Sequence, residues 1–422
     1  MNKLITLIAL SILPLMAAGQ QSKELKDHKY AGAFYTGTYK NKFNEAGYEK
    51  TQINSKLDKA YHDIFEGPNR VYFEVGDSMA YVSDIKNHDA RTEGLSYGMM
   101  IAVQLDKKEV FDRIWRWSKK YLQHQEGPRK AYFAWSINIE TMKANSEGSA
   151  SDGELFYITS LLFASNRWGN NTGIDYYREA RFILDEMWKK KGEGNIFNLI
   201  NTQQKLISFV PEGDGYTWTD PSYHLPAFYE VWALYAKDGH EQFYRDCADS
   251  SRAFLHRACS ASTGLNYDYT EFSGKAHATT WMPPAFRFDS WRVPMNIAMD
   301  YTWFAKDKTW QEAYANRFQN FLRSKGINTF EDQFNPDGTR PDYILPAGNV
   351  TKLRHSLGLV ATSATASLIV NDARSNDFIH ALWDAKLEPY DDGYFDPYYD
   401  GLMYLFSLMH LSGKYQIIQP KI

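Results

Sequence analysis

Three carboxylates stand where apolar helical runs begin. Glu93 lies in Arg91-Thr92-Glu93-Gly94-Leu95-Ser96-Tyr97-Gly98-Met99, Asp152 in Ala150-Ser151-Asp152-Gly153-Glu154-Leu155, and Asp289 in Phe286-Arg287-Phe288-Asp289-Ser290-Trp291-Arg292-Val293-Pro294. Each follows a polar or aromatic loop and precedes apolar residues recurring every three to four positions. Acids from distant positions that converge on one point suit the cleavage of a glycosidic bond. One carboxylic acid protonates the leaving oxygen, and a second carboxylate activates water or attacks the anomeric carbon. Each acid also has an ordinary structural reading. Thr92 is expected to cap its helix, with Glu93 in the first turn at the positive end of the macrodipole. Asp152 and Asp289 would serve equally as N-caps, Asp289 with Arg292 as a helical ion pair one turn on. In the catalytic reading Arg292 holds the Asp289 carboxylate by a forked hydrogen bond. Arg91 and the helix end would lower the Glu93 pKa, so a proton donor there needs burial and an ionised Asp152 to push harder the other way.

The elements that must position these acids read as twelve helices, near 54–66, 93–105, 108–123, 152–166, 175–190, 222–237, 241–258, 289–305, 307–324, 355–370, 375–385 and 397–411. Stretches 155–164, 227–235 and 358–370 are apolar nearly all round, whereas 108–120 and 307–323 carry a charged face. A helix apolar on every side must be buried, and one with a polar stripe can lie outside. Their alternation describes an all-α (α/α)6 barrel in which the first helix pairs with the last. Long loops precede the inner helices at 67–91, 126–151, 195–221, 260–287, 326–354 and 387–396, all at one end of that barrel. Alternating aromatics at 71–75 and 265–269 predict short strands in them.

A chain of 422 residues with 44% hydrophobic and 23% charged residues can bury a large core. Net charge −4 and scattered Lys and Arg give no footprint for nucleic acid or an anionic membrane; a neutral ligand fits better. Aromatics reach 16%, more than a core needs, and aromatic rings suit the C–H faces of sugars. Lys3, the apolar run 4–16 and Ala17-Ala18-Gly19 read as a secretory signal over residues 1–19. That implies export to the periplasm or medium without an integral membrane anchor, and leaves 20–422 as one domain. Cys247 and Cys259 stand twelve apart on one helix and its end, roughly 18 Å at the helical rise, so structural thiols are expected rather than a disulfide. No zinc-type or calcium-loop spacing is present, so neither metal nor cofactor is expected. Nothing specifies an oligomer, and a monomer is the expectation.

With these residues assembled, the chain resembles glycoside hydrolase family 8 over almost all of residues 20–422. The Arg-Thr-Glu-Gly-Leu-Ser-Tyr-Gly-Met segment matches that family's general-acid motif, and 150–168 follows its signature, with Glu154 where the family commonly has Asp. The resemblance implies an inverting hydrolase on an (α/α)6 barrel. Glu93 is then the acid, Asp289 the base, and Asp152 a carboxylate gripping the distorted sugar. Tyr223 becomes a partner of the attacking water, and Arg292 the support of the base. Segments 69–77, 132–136 and 292–300 look most like the reducing-end xylose-releasing exo-oligoxylanases, whose substrates are β-1,4-xylo-oligosaccharides. Trp135, in a loop above the barrel, is then a substrate-binding ring. His355, with Leu353 and Arg354 in loop 326–355, is the candidate for the wall that makes the action exo. An endo-acting β-1,4-xylanase or β-1,4-glucanase of the same family is the alternative. A sugar-binding protein without turnover would have no use for both Glu93 and Asp289, and a lyase on this barrel would rely on Tyr/His or His pairs instead.

Overall fold

Twelve helices of nine residues or more organise the computed structural model, which describes residues 32–347, 351–370 and 372–420; the leader expected at 1–19 lies outside them. In chain order they are α1 (Lys50–Phe65), α2 (Thr92–Gln104), α3 (Lys108–Tyr121), α4 (Ser151–Trp168), α5 (Tyr176–Lys189) and α6 (Pro226–Tyr235). The second half holds α7 (Glu241–Ala258), α8 (Arg292–Trp303), α9 (Lys308–Ser324), α10 (Leu357–Thr365), α11 (Asn376–Asp384) and α12 (Tyr399–Leu411).

The even-numbered helices form the inner ring. Helix α2 packs on α4, α4 on α6, α6 on α8, α8 on α10, α10 on α12, and α12 returns to α2. Each also packs against one odd-numbered neighbour: α3, α5, α7, α9 and α11 follow their inner partners, and α1 joins α12 across the closure. Burial follows this order for the reason the patterning gives. Every residue of α2 except Glu93 is buried, as is every residue of α12 except Tyr399, whereas α3 buries only a stripe that includes Phe111, Ile114, Trp115 and Ser118. The architecture is therefore the expected (α/α)6 barrel. Cys247 and Cys259 are free, buried thiols.

Connections from inner to outer helices are short at most corners, and those leading into inner helices are long and carry the strands. Antiparallel β1 (Tyr72–Val75) and β2 (Met79–Val82) precede β3 (Asp89–Arg91), which pairs with β4 (Ser136–Asn138) and through it β5 (Lys143–Ser146). Two-residue pairs follow, β6 (Ile200–Asn201) with β7 (Leu206–Ile207) and β8 (Trp218–Thr219) with β9 (Thr270–Glu271). The strand expected at 265–269 is not formed. Pairing begins at Thr270, opposite Thr219, because Asp268 turns its carboxylate to the Ala285 N–H and to Arg287 instead of continuing an extended run.

Two glycines let the ring close tightly at the loop end. A Cβ on Gly153 would lie 2.5 Å from both Cβ and Oγ1 of Thr92, and one on Gly94 would enter the Tyr398 ring. Helix α4 therefore meets α2, and α2 meets the start of α12, at distances only glycine permits. Gly153→Ala should destabilise the protein by about 1–3 kcal/mol, the usual range for overpacking a close contact. Urea unfolding monitored by tryptophan fluorescence checks this, and a change below about 0.5 kcal/mol, within the scatter of ordinary surface substitutions, would show that the two helices separate freely.

Candidate active site

All three sequence-marked acids come together at the loop end, although their local settings differ from those expected. Helix α2 starts at Thr92 with Arg91 as N-cap; Thr92 donates no cap, and its buried hydroxyl has no partner. The Thr92 N–H is instead taken by the carbonyl of Trp135, so β4's approach replaces the side-chain cap. Glu93 does sit in the first turn. Asp152 is likewise the second residue of α4 rather than its N-cap, and its Oδ1 accepts the Gly153 N–H at 2.9 Å. Asp289 precedes its helix. It lies in a 3-10 turn, Phe288–Trp291, and α8 starts only at Arg292. Pro294 lacks an N–H and its ring crowds the carbonyl four residues back, which confines it to a helix's first turn and stops α8 from extending upstream. Phe288 takes up the change of direction with φ +35°, a strained value for a bulky residue, and its carbonyl accepts the Tyr399 hydroxyl at 2.9 Å.

Arg292 is the hub, not a dedicated fork on Asp289. Its Nη1 donates to Glu93 Oε2 at 2.7 Å, to the Tyr97 hydroxyl at 2.8 Å and to Asp152 Oδ2 at 3.2 Å. Its Nη2 donates to Asp289 Oδ1 and to Ser222 Oγ, both at 2.8 Å, and stands 3.8 Å from Asp220 Oδ2. Glu93 and Asp289 thus occupy different nitrogens of one guanidinium. Side-chain exposure is 3% for Arg292, 17% for Glu93 and 30% for Asp289, so both acids reach open space while the cation does not.

One buried cation cannot neutralise four carboxyls, and the surplus negative charge raises the pKa of Glu93, Asp152 and Asp220. Glu93 is pushed up to about 7: burial raises it most, Arg292 opposes, and Asp152 and Asp289 add to the rise. Arg91 opposes only weakly, since its guanidinium is committed to Asp89 and Asp84. Asp152 is pushed up to about 6 by burial and by Asp289 against Arg292. Asp220 is held well above the usual carboxylate range by burial and Asp289. The other Glu93 oxygen, Oε1, accepts the Tyr398 hydroxyl at 3.0 Å.

The other residues marked by the sequence divide. Tyr223 belongs to the cluster, its ring 5.6 Å from the Arg292 guanidinium. Trp135 is half-buried in the bend before β4, tied by backbone bonds to Thr92 and Gly148, with Arg91 5.6 Å from its ring. His355 is not brought to the acids. Its Nδ1 meets the Phe330 carbonyl at 2.9 Å, and it lines a groove with His380 and Asp384 of the outer helix α11. Glu154 is buried beneath the loop, accepting the Phe133 N–H, and burial raises it to about 8. Sequence reasoning missed Asp220, Ser222 and Tyr398. Asp220 carried a signal, for Asp-Pro-Ser reads as a capped turn, and its Oδ1 accepts the Ser222 N–H at 2.6 Å. Among the described residues no group of three or more His, Cys, Asp or Glu is arranged to hold a metal ion.

If the surplus charge sets the Glu93 proton, removing one neighbour must release it. In Asp152→Asn, Glu93 loses a group that raises its pKa, so its titration should move from near 7 to lower pH. Carbon-13 NMR of carboxyl-labelled glutamate follows this directly, and an unmoved or raised midpoint would contradict the electrostatic account.

Relatives match nearly the whole chain. The protein is 38% identical over 392 residues to the reducing-end xylose-releasing exo-oligoxylanase Rex8A of Paenibacillus barcinonensis, covering 92% of this chain and 98% of that protein. It is 36% identical over 397 residues to the reducing end xylose-releasing exo-oligoxylanase of Halalkalibacterium halodurans, covering 92% and 97%. The solved xylobiose complex of a family 8 enzyme from Teredinibacter turnerae superposes with a TM-score of 0.85 at 35% identity, over 92% of this chain and all of that one. The sequence model of "Glycosyl hydrolases family 8" matches residues 81–340, a span running from β2 through the Glu93, Asp152 and Asp289 segments, and the chain belongs to that family.

Proposed function

We propose that the protein hydrolyses β-1,4-xylo-oligosaccharides with inversion and releases xylose from the reducing end. The observation that carries this reading is the placement of Glu93, its pKa raised to about 7, and the more open Asp289 on the two nitrogens of Arg292. Likeness to exo-oligoxylanases over 92% of the chain supports the substrate and the end of attack.

In this mechanism Glu93 gives its proton to the glycosidic oxygen as the bond to the anomeric carbon breaks. Asp289 takes a proton from a water that attacks that carbon from the opposite face, and the new hydroxyl appears with inverted configuration. Asp152, on the same guanidinium nitrogen as Glu93, holds a hydroxyl of the distorted sugar, and the Tyr223 ring flanks the water. Trp135 stacks on a bound sugar. His355, whose Nδ1 meets the Phe330 carbonyl, keeps Nε2 as the group that would meet the terminal sugar. The leader-like residues 1–19 support export, and no helix among the described residues is long and apolar enough to cross a membrane.

Xylotriose labelled at its reducing end should yield labelled xylose and unlabelled xylobiose, with little action on polymeric xylan. Labelled xylobiose, or rapid shortening of polymer, would favour endo action. Glu93→Gln and Asp289→Asn should each lower kcat by roughly 10²–10⁴-fold. Because Glu93 must be protonated, wild-type kcat/KM should fall as pH rises through about 7. Retention of wild-type kcat in Glu93→Gln would remove it as the acid.

A further inference from the structure

Trp281 is 59% exposed, the highest value among the exposed large apolar side chains of the described residues. It is nevertheless held in place. The Thr279 hydroxyl donates to the Met282 carbonyl at 2.9 Å and accepts the Met282 N–H at 3.2 Å, closing a turn around Thr280 and Trp281. The base of this loop is tied by the His277 N–H on the Tyr269 carbonyl at 2.9 Å, and by buried Asp268, which accepts Arg287 Nε at 2.9 Å and the Ala285 N–H at 3.1 Å. Arg287 is two residues before Asp289, so Trp281 is fixed relative to the acid cluster.

A run of rings connects the two. Tyr223, beside Arg292, lies parallel to Phe209 with centroids 5.9 Å apart, and Phe209 stacks on Trp218 at 4.1 Å. Tyr269 packs edge-on against Phe209 at 5.1 Å and Trp218 at 5.4 Å, and Trp281 meets Tyr269 at 6.2 Å and 71°. Tyr223, Trp218 and Tyr269 are buried, so the open aromatic face at the outer end belongs to Trp281. His277 stacks on Trp218 with Nδ1 on Glu271 at 2.6 Å. A rigid, solvent-facing indole continuous with the acid cluster suits one occupant, a neutral sugar ring. Its C–H face covers the indole, and its hydroxyls remain in water or reach a polar neighbour.

We propose that Trp281 forms a distal sugar subsite, which binds a unit of the oligosaccharide remote from the bond cleaved and sets the preference for chain length. This rests on the reading that the substrate is a neutral β-1,4 oligosaccharide. The test is kcat and KM for xylobiose through xylohexaose with wild type, Trp281→Ala and Trp281→Phe. Wild-type kcat/KM should rise with length until the subsite is filled. Trp281→Ala should lose about five- to tenfold on the longest substrates, through KM, while staying within about twofold on the shortest; Trp281→Phe should recover most of the loss. Unchanged kinetics at every length, or an equal loss at every length, overturns the subsite. A wild type that turns over only cello-oligosaccharides overturns the xylan reading alone, and the same comparison of lengths on those substrates then decides Trp281.

Discussion

A single buried guanidinium carries the charge balance of the site. Arg292 is 3% exposed and meets Glu93, Asp152 and Asp289 directly, with Asp220 just beyond bonding distance. Removing one partner from such a buried ionic group typically costs about 3–5 kcal/mol, because the remaining charge is left uncompensated. Several carboxyls share the one cation, and the surplus negative charge raises the pKa of the more buried acids. Acidity and position thus have a common origin. The crowding that raises the Glu93 pKa comes from the neighbours that would grip the sugar and the water.

The barrel supplies what that cluster needs, which is the convergence of inner helix starts. Gly94 and Gly153 let α2, α4 and the start of α12 approach closely enough for Tyr398 to reach Glu93. On the opposite side the 3-10 turn at Phe288–Trp291 sets Asp289 ahead of α8, where it is more open than Glu93, and the Tyr399 hydroxyl secures the strained Phe288 carbonyl. Two consecutive tyrosines at the beginning of α12 therefore serve the two acids, one by direct contact and one through the backbone. This division matches a mechanism in which one carboxyl must hold a proton out of water and the other must meet water.

How much of this was legible in the sequence depended on range. Inner and outer helices were readable because burial on all sides or on one stripe leaves a local pattern, and the ring order followed from their alternation. The three acids were readable because each sits between a polar loop and an apolar run. Helix starts were misjudged where tertiary contacts replaced local ones: the Trp135 carbonyl took the role given to Thr92, and Pro294 with strained Phe288 moved Asp289 out of its helix. Arg292 looked like the partner of one acid because sequence shows its neighbour three residues back and hides Glu93 and Asp152, far along the chain. Tyr398 carried no signal at all.

The most direct measurement is proton NMR of the first minutes of xylo-oligosaccharide hydrolysis, before mutarotation mixes the anomers. Glu93 and Asp289 acting across a trapped water predict that the newly formed reducing end appears first as the α-anomer. First appearance of the β-anomer would mean that Asp289, or another carboxylate, attacks the sugar directly, and would contradict the account.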